Sequence, residues 1–179
     1  MKSMNLPRLA FLFLLVTGAA LTRLLPHPMN FTAIGAIALL GGACVTSSRV
    51  GLAMTLTALA ISDLFLGMYV LLPVVYASFG ISFLLGRWLR TKRTIPRTAL
   101  ATLAGTIQFF LITNFACWLQ FYPHTWEGLI SCFTLALPFF QNALLGDALF
   151  VTVLFTSLSL VERSVPALRE ESRMATTLS

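Results

Sequence analysis

The stretch from Gly128 to Val161 holds a single charged side chain, Asp147, and is too long for one bilayer crossing, which takes about 20 helical residues. Five further runs share its character: Leu9–Leu25, Phe31–Val45, Val50–Leu66, Pro73–Leu89 and Thr98–Leu119. The runs are continuous rather than alternating in and out, so they predict spanning helices and not barrel strands. Composition agrees. Charged residues make up 10% of the 179 residues and hydrophobic ones 58%, against about 25% charged in an ordinary soluble domain. So little polar surface cannot clothe a water-soluble globule.

Division into elements follows the breakers. Leu9–Leu25 follows Lys2 and Arg8 and has two readings, a signal peptide with Gly18-Ala19-Ala20 as its cleavage region, or a first transmembrane helix; the apolar run continues past that point to Leu25, which favours the helix. "PHPMN" at 26–30 ends it, because proline disfavours helix at the residue before it. Phe31–Val45 is short and rich in Gly and Ala, as expected of a helix packed closely against its neighbours. Pro138 is expected to divide Gly128–Val161 into a short piece, 128–137, and a sixth span, Phe139–Val161. The expected architecture is all-α, a bundle of about six transmembrane helices in one domain over residues 1–163, with a loosely ordered polar tail at 164–179.

Placing the N-terminus inside puts eleven of the twelve Lys and Arg residues on inner segments and leaves only Arg23 outside. That is the positive-inside pattern, with both termini cytoplasmic and the chain in a plasma (inner) membrane. The halves also echo one another. Asn30-Phe31 and Asn114-Phe115 are each followed by an aspartate, Asp63 and Asp147, at the same spacing, which suggests a three-plus-three repeat of the kind found in transporters.

With this orientation the strong polar groups collect in the outer half. Asp63 falls near the outer end of its span, and Asn142 and Asp147 in the outer half of theirs. Asn114, Cys117 and Trp118, spaced i, i+3, i+4, share one helix face near the outer surface. Outer loops add Arg23, His27, Asn30, Tyr122, His124 and Trp126. A carboxylate in a bilayer normally faces a partner or a water-filled cavity and marks function. For Asp63 the alternative is a pair with Arg23 that locks two helix ends; Asp147 has no basic partner evident in sequence. Candidate substrate-binding residues are therefore Asp63, Asp147, Asn114, Asn142, Asn30 and Trp118. His27, Tyr122, His124 and Trp126 would form a lid or entrance, with the aromatic members read alternatively as an interfacial belt. The pairs Ala38-x-x-x-Gly42 and Ala101-x-x-x-Gly105 predict close helix packing.

Two histidines and three scattered cysteines have no metal-site or disulfide spacing, so neither a metal nor a cofactor is expected. No G-x-S-x-G, H-E-x-x-H, Walker-type loop or dinucleotide fingerprint occurs, which argues against an enzyme and against ATP hydrolysis by that route. The net charge of +6 is carried by membrane-flanking residues and calls for a lipid bilayer rather than nucleic acid.

The segments "RLLPHPMNFTAIGAIALLGGA", "ISDLFLGMYVLLPVVYASF", "LGRWLR", "TNFACWL" and "LPFFQNALLGDALF" resemble a family of small, uncharacterised bacterial membrane proteins described as transport proteins. That family is similar in size and six-span architecture to the substrate-binding S components of energy-coupling-factor vitamin transporters. The resemblance implies a binding protein that takes a vitamin-like small molecule from outside, with an ATPase and coupling-subunit module as a possible partner. It implies site positions at Pro28-x-Asn30-Phe31, Ser62-Asp63, Thr113-Asn114-Phe115, Asn142 and Gly146-Asp147. The A-x-x-x-A docking pattern that S components often carry on the first helix is missing from Leu9–Leu25, which leaves a solitary transporter open. The alternative from another class is a structural or assembly protein whose carboxylates only tie helices together.

Overall fold

The computed structural model describes residues 5–169; the tail beyond them, to residue 179, lies outside the described residues. Six α-helices account for the fold, with no strand among the described residues: α1 (Leu6–Leu21, continued by a 3-10 turn, Thr22–Leu24), α2 (Ile34–Cys44), α3 (Ser48–Leu66), α4 (Leu72–Leu89), α5 (Ile95–Phe121) and α6 (Trp126–Ser164). Local chemistry sets the ends. Side chains of Asn5, Ser47 and Thr125 accept from backbone N–H groups in the first turns of α1, α3 and α6. Prolines sit in the first turns of α1, α4 and α5, where a missing N–H costs nothing. Gly67, at φ 95°, takes α3 out of the helix in a conformation that side-chain-bearing residues rarely adopt.

Five of the helices are long and apolar enough to cross a membrane. The sixth, α2, has 11 residues and rises only about 16 Å, half the roughly 30 Å of hydrocarbon. All of its residues are buried. α2 packs against each of the other five helices, while α1, α3, α4, α5 and α6 touch one another only in ring order, closing from α6 back to α1. The fold is a five-helix ring around a short central helix, and it makes the chain a multi-pass membrane protein.

Close approach at the centre depends on glycine. A Cβ on Gly42 would lie 2.7 Å from the Arg87 nitrogen and 2.8 Å from the Gly86 carbonyl carbon of α4. A Cβ on Gly41 would lie 3.0 Å from the Gly51 oxygen of α3. The expected packing role of Gly42 is therefore met, with the α4 backbone as its partner, and Gly41 beside it makes the approach to α3.

Three expectations are corrected. Pro138 does not divide the last apolar stretch; α6 is one helix of 39 residues with the proline inside it. A proline removes one hydrogen bond and crowds the preceding turn, but in membranes neighbouring elements re-satisfy the freed groups and such helices continue. The chain after α6 is not loose as far as Arg169. It turns through Pro166–Leu168 and returns to α1, where Asn5 Nδ2 donates to the Ala167 carbonyl at 2.8 Å. The two halves also fill different places. The second helix of the first half is the buried centre, and that of the second half is a 27-residue ring member. Asn30 thus lies in a loop and Asn114 inside a helix.

Substituting Gly86→Val should destabilise the protein by about 3 kcal/mol through overpacking, whereas Gly80→Ala, where a Cβ meets nothing within 4 Å, should not. Thermal unfolding in detergent decides; equal behaviour of the two variants would contradict the close α2–α4 contact.

Candidate functional site

The site is best built from the two ends of α2, because both lie inside the protein. At its C-terminal end the last carbonyls have no helical partner. Arginines from neighbouring elements supply donors. Arg8 Nη2 reaches the Cys44 carbonyl at 3.2 Å, and Arg87 Nη1 reaches the carbonyls of Val45 at 3.1 Å and Gly42 at 3.4 Å. Arg93 Nη1 lies 3.0 Å from Cys44 Sγ. Arg8 also binds the buried carboxylate of Glu162 on α6, which joins the first ring helix to the last and sets both ends of the helical domain on one side.

At the N-terminal end of α2 stands Asp147 of α6. Its carboxylate lies over the first turn at Gly35, where a Cβ would be 2.9 Å from Asp147 Cγ. Thr106 Oγ1 of α5 donates to Asp147 Oδ2 at 2.7 Å. No cationic side chain pairs with Asp147 among the described residues. The positive end of a helix dipole, roughly half an elementary charge, favours an anion there. Asn142, one helical turn and more away on α6, donates Nδ2 to the Met29 carbonyl at 3.1 Å and ties the 25–33 loop to the same region. In that loop Asn30 adopts φ 63°, the left-handed conformation that asparagine tolerates. Asn30, Asn142 and Asp147 therefore belong to one neighbourhood on the side of α2 away from its arginines.

Asp63 does not belong to it. It lies in the last turn of α3, is 1% exposed, and is bound by Arg23 Nη1 at 2.6 Å; the same nitrogen reaches Ser62 Oγ at 2.6 Å. The expected pairing of Arg23 with Asp63 is present and locks the far ends of α1 and α3. Tyr69, in the loop after α3, adjoins the pair. Burial and the Asp63 carboxylate push its phenol above the usual range while Arg23 opposes them. Helices α3 and α6 do not touch, and α2 lies between them, so the structure keeps the two aspartates apart.

The remaining candidates lie in the hairpin of α5 and α6. Asn114 Nδ2 donates to the Phe110 carbonyl of its own helix at 2.7 Å, and its carbonyl receives Cys132 Sγ at 3.5 Å. Trp118 Nε1 donates to the Pro123 carbonyl at 2.9 Å, and its ring lies 5.5 Å from that of His124, which faces the Leu119 carbonyl. Tyr122 terminates α5, and Trp126 begins α6 and is 73% exposed. These groups fasten a turn. His27, in the other loop, sets its ring nitrogens against the carbonyls of Pro28 and Arg23. Sequence reasoning missed Thr106, Gly35 and the pairing of Arg8 with Glu162. Glu162, an acid at the end of an apolar run, was the available signal for the last; a threonine within an apolar helix carries none.

A cavity of about 730 Å³ opens between α5 and α6 at the arginine-rich end. None of the candidate site residues lines it, although Leu144 and Ala148, the neighbours of Asp147 along α6, close its inner end.

The ring, its central helix and the intramembrane charges define a helical, multi-pass membrane protein. A family model matches residues 3–168, and the chain belongs to that family, DUF6580, a family of unknown function. No curated protein and no solved structure matches the chain.

Removing one partner of the buried Arg23–Asp63 pair strands the other. Asp63→Leu alone should cost about 3–5 kcal/mol of stability, and the double variant Arg23→Met, Asp63→Leu should recover most of it. A double-mutant cycle read by thermal unfolding tests this; additive losses would deny the coupling.

Proposed function

We propose that the protein is a membrane transport protein that binds a small organic, vitamin-like molecule on the outer side of the inner membrane, in the manner of S components of energy-coupling-factor transporters. The observation that carries this reading is Asp147, a carboxylate within a spanning helix that has a hydrogen-bond donor in Thr106 and no cationic partner among the described residues. A charge in the bilayer without a counter-ion is costly, and such residues mark substrate or ion pathways. The contrast with Asp63, whose cation is already in place, supports Asp147 as the residue that meets the ligand. The complementary ligand group is an amine or another strong donor. Asn142 and Asn30 would add neutral hydrogen bonds, and the hairpin aromatics would edge the entrance. Release inside would draw on a coupling-subunit and ATPase module or on an ion gradient, with the arginine-rich end facing the cytoplasm.

A second reading is favoured by one contact. The Asp147 carboxylate over the first turn of α2 could serve only to complement that helix's dipole. Mass spectrometry of small molecules released from gently purified protein separates the two. For a binding protein, a stoichiometric organic ligand should accompany the wild type, and Asp147→Asn should weaken it roughly tenfold to a hundredfold without loss of fold. Full ligand retention in Asp147→Asn, or an empty wild type together with collapse of that variant, would favour the structural reading.

A further inference from the structure

The cavity between α5 and α6 has a chemistry of its own. Among the described residues, the hydrogen bonds and ring contacts between these helices lie at Thr106 and on its far side: Thr106 with Asp147, Phe110 with Phe133 and Phe140, and Asn114 with Cys132. From Thr106 toward the arginine-rich end the helices part around the cavity, whose volume of about 730 Å³ falls within the roughly 300–1,000 Å³ of ligand sites. Its lining runs from Leu144 to Arg163 on α6, about 28 Å along the helix. Many of these positions, among them Leu103, Thr152, Thr156 and Leu160, are exposed. In a ring of spanning helices, exposed side chains of this kind face the bilayer, so the cavity is a groove open to lipid.

Three layers of chemistry follow its length. At the mouth stand Arg93, placed by its contact with Cys44, and Arg163, beside Glu162, whose carboxylate is held by Arg8. Next come hydroxyls on both walls: Thr98 and Thr102 at i, i+4 on α5, and Thr152 and Thr156 at i, i+4 on α6. Thr102 and Thr152 already donate to carbonyls four residues back, at 2.9 and 2.7 Å, which leaves their oxygens as acceptors and fixes their orientation. Val151 and Phe155 stand among these hydroxyls on α6, and beyond them Leu103, Leu144 and Ala148 line an apolar inner end. An anionic group at the mouth, polar linkage atoms beside the hydroxyls and a hydrocarbon chain beyond would match this order.

We propose that the α5–α6 groove binds one anionic diacyl phospholipid from the leaflet at the arginine-rich end, with its phosphate between Arg93 and Arg163 and an acyl chain running past Phe155 and Val151 to Leu103 and Leu144. Basic pockets between transmembrane helices recognise anionic headgroups in this way. The lipid would fill the gap left where α5 and α6 separate, and would brace the helix that carries Asp147.

Native mass spectrometry of the full chain, stripped of lipid and titrated with phosphatidylglycerol or phosphatidylcholine, tests the assignment. One phosphatidylglycerol should bind in preference to phosphatidylcholine. Arg163→Gln should weaken it roughly fivefold and leave phosphatidylcholine unchanged. Arg49→Gln, which removes an exposed charge at the same end but on α3, should do nothing. Thr156→Phe, at an exposed lining position, should exclude the lipid by filling the groove. Equal binding of the two lipids, an equal effect of Arg49→Gln, or retention of phosphatidylglycerol by Thr156→Phe would overturn the proposal. So would a non-lipid organic adduct lost in Thr156→Phe and displaced by neither lipid, which would give the groove to a soluble ligand.

Discussion

Everything in this structure depends on a helix that is too short to cross the membrane and is surrounded by helices that do. A buried α-helix leaves N–H groups unsatisfied at one end and C=O groups at the other, with a dipole between them. In water these ends are solvated. Inside a membrane protein they must be answered by side chains. Here Arg8 and Arg87 answer the carbonyls of α2, and the Asp147 carboxylate stands at its amino end. Arg8, Arg87 and Asp147, which look out of place in an apolar sequence, all meet at the ends of one 11-residue helix.

The same requirement organises the ring. Arg8 belongs to α1, Arg87 to α4 and Asp147 to α6, so the groups at the two ends of α2 come from three ring members around it. Arg8 continues to Glu162 and thereby closes the ring between its first and last helices. Glycines complete the arrangement, since only a bare backbone lets α3 and α4 approach α2 so closely. Polar contacts set where the central helix ends, and small residues set how near its neighbours come.

Much of this was legible in the sequence, and what was not has physical reasons. Continuous apolar runs and sparse charge gave the membrane class, the first helix and the extent of most spans. Arg23 with Asp63 could be paired from their positions at neighbouring helix ends. Pro138 misled because the rule that proline breaks helices is weaker inside a membrane bundle. The centrality of α2 could be suspected from its Gly and Ala content, but its ring of five neighbours is a property of tertiary packing. Thr106 beside Asp147 was invisible, since an intramembrane threonine usually satisfies its own helix, as Thr102 does. The groove between α5 and α6 was missed for a related reason: its hydroxyls read singly as mild polar residues, and only the parting of two helices makes them one surface.

The proposed ligand role of Asp147 and its place at the end of α2 need not be separate matters. A carboxylate held only by a threonine hydroxyl and half a dipole charge is less completely compensated than one facing a guanidinium, as Asp63 shows by contrast. A cationic ligand group arriving at Asp147 would compete with the dipole of α2 for the same carboxylate. Binding would then weaken the hold on one end of the central helix while Arg8 and Arg87 keep the other. Since α2 touches every ring member, a shift at that end would bear on all five surrounding helices.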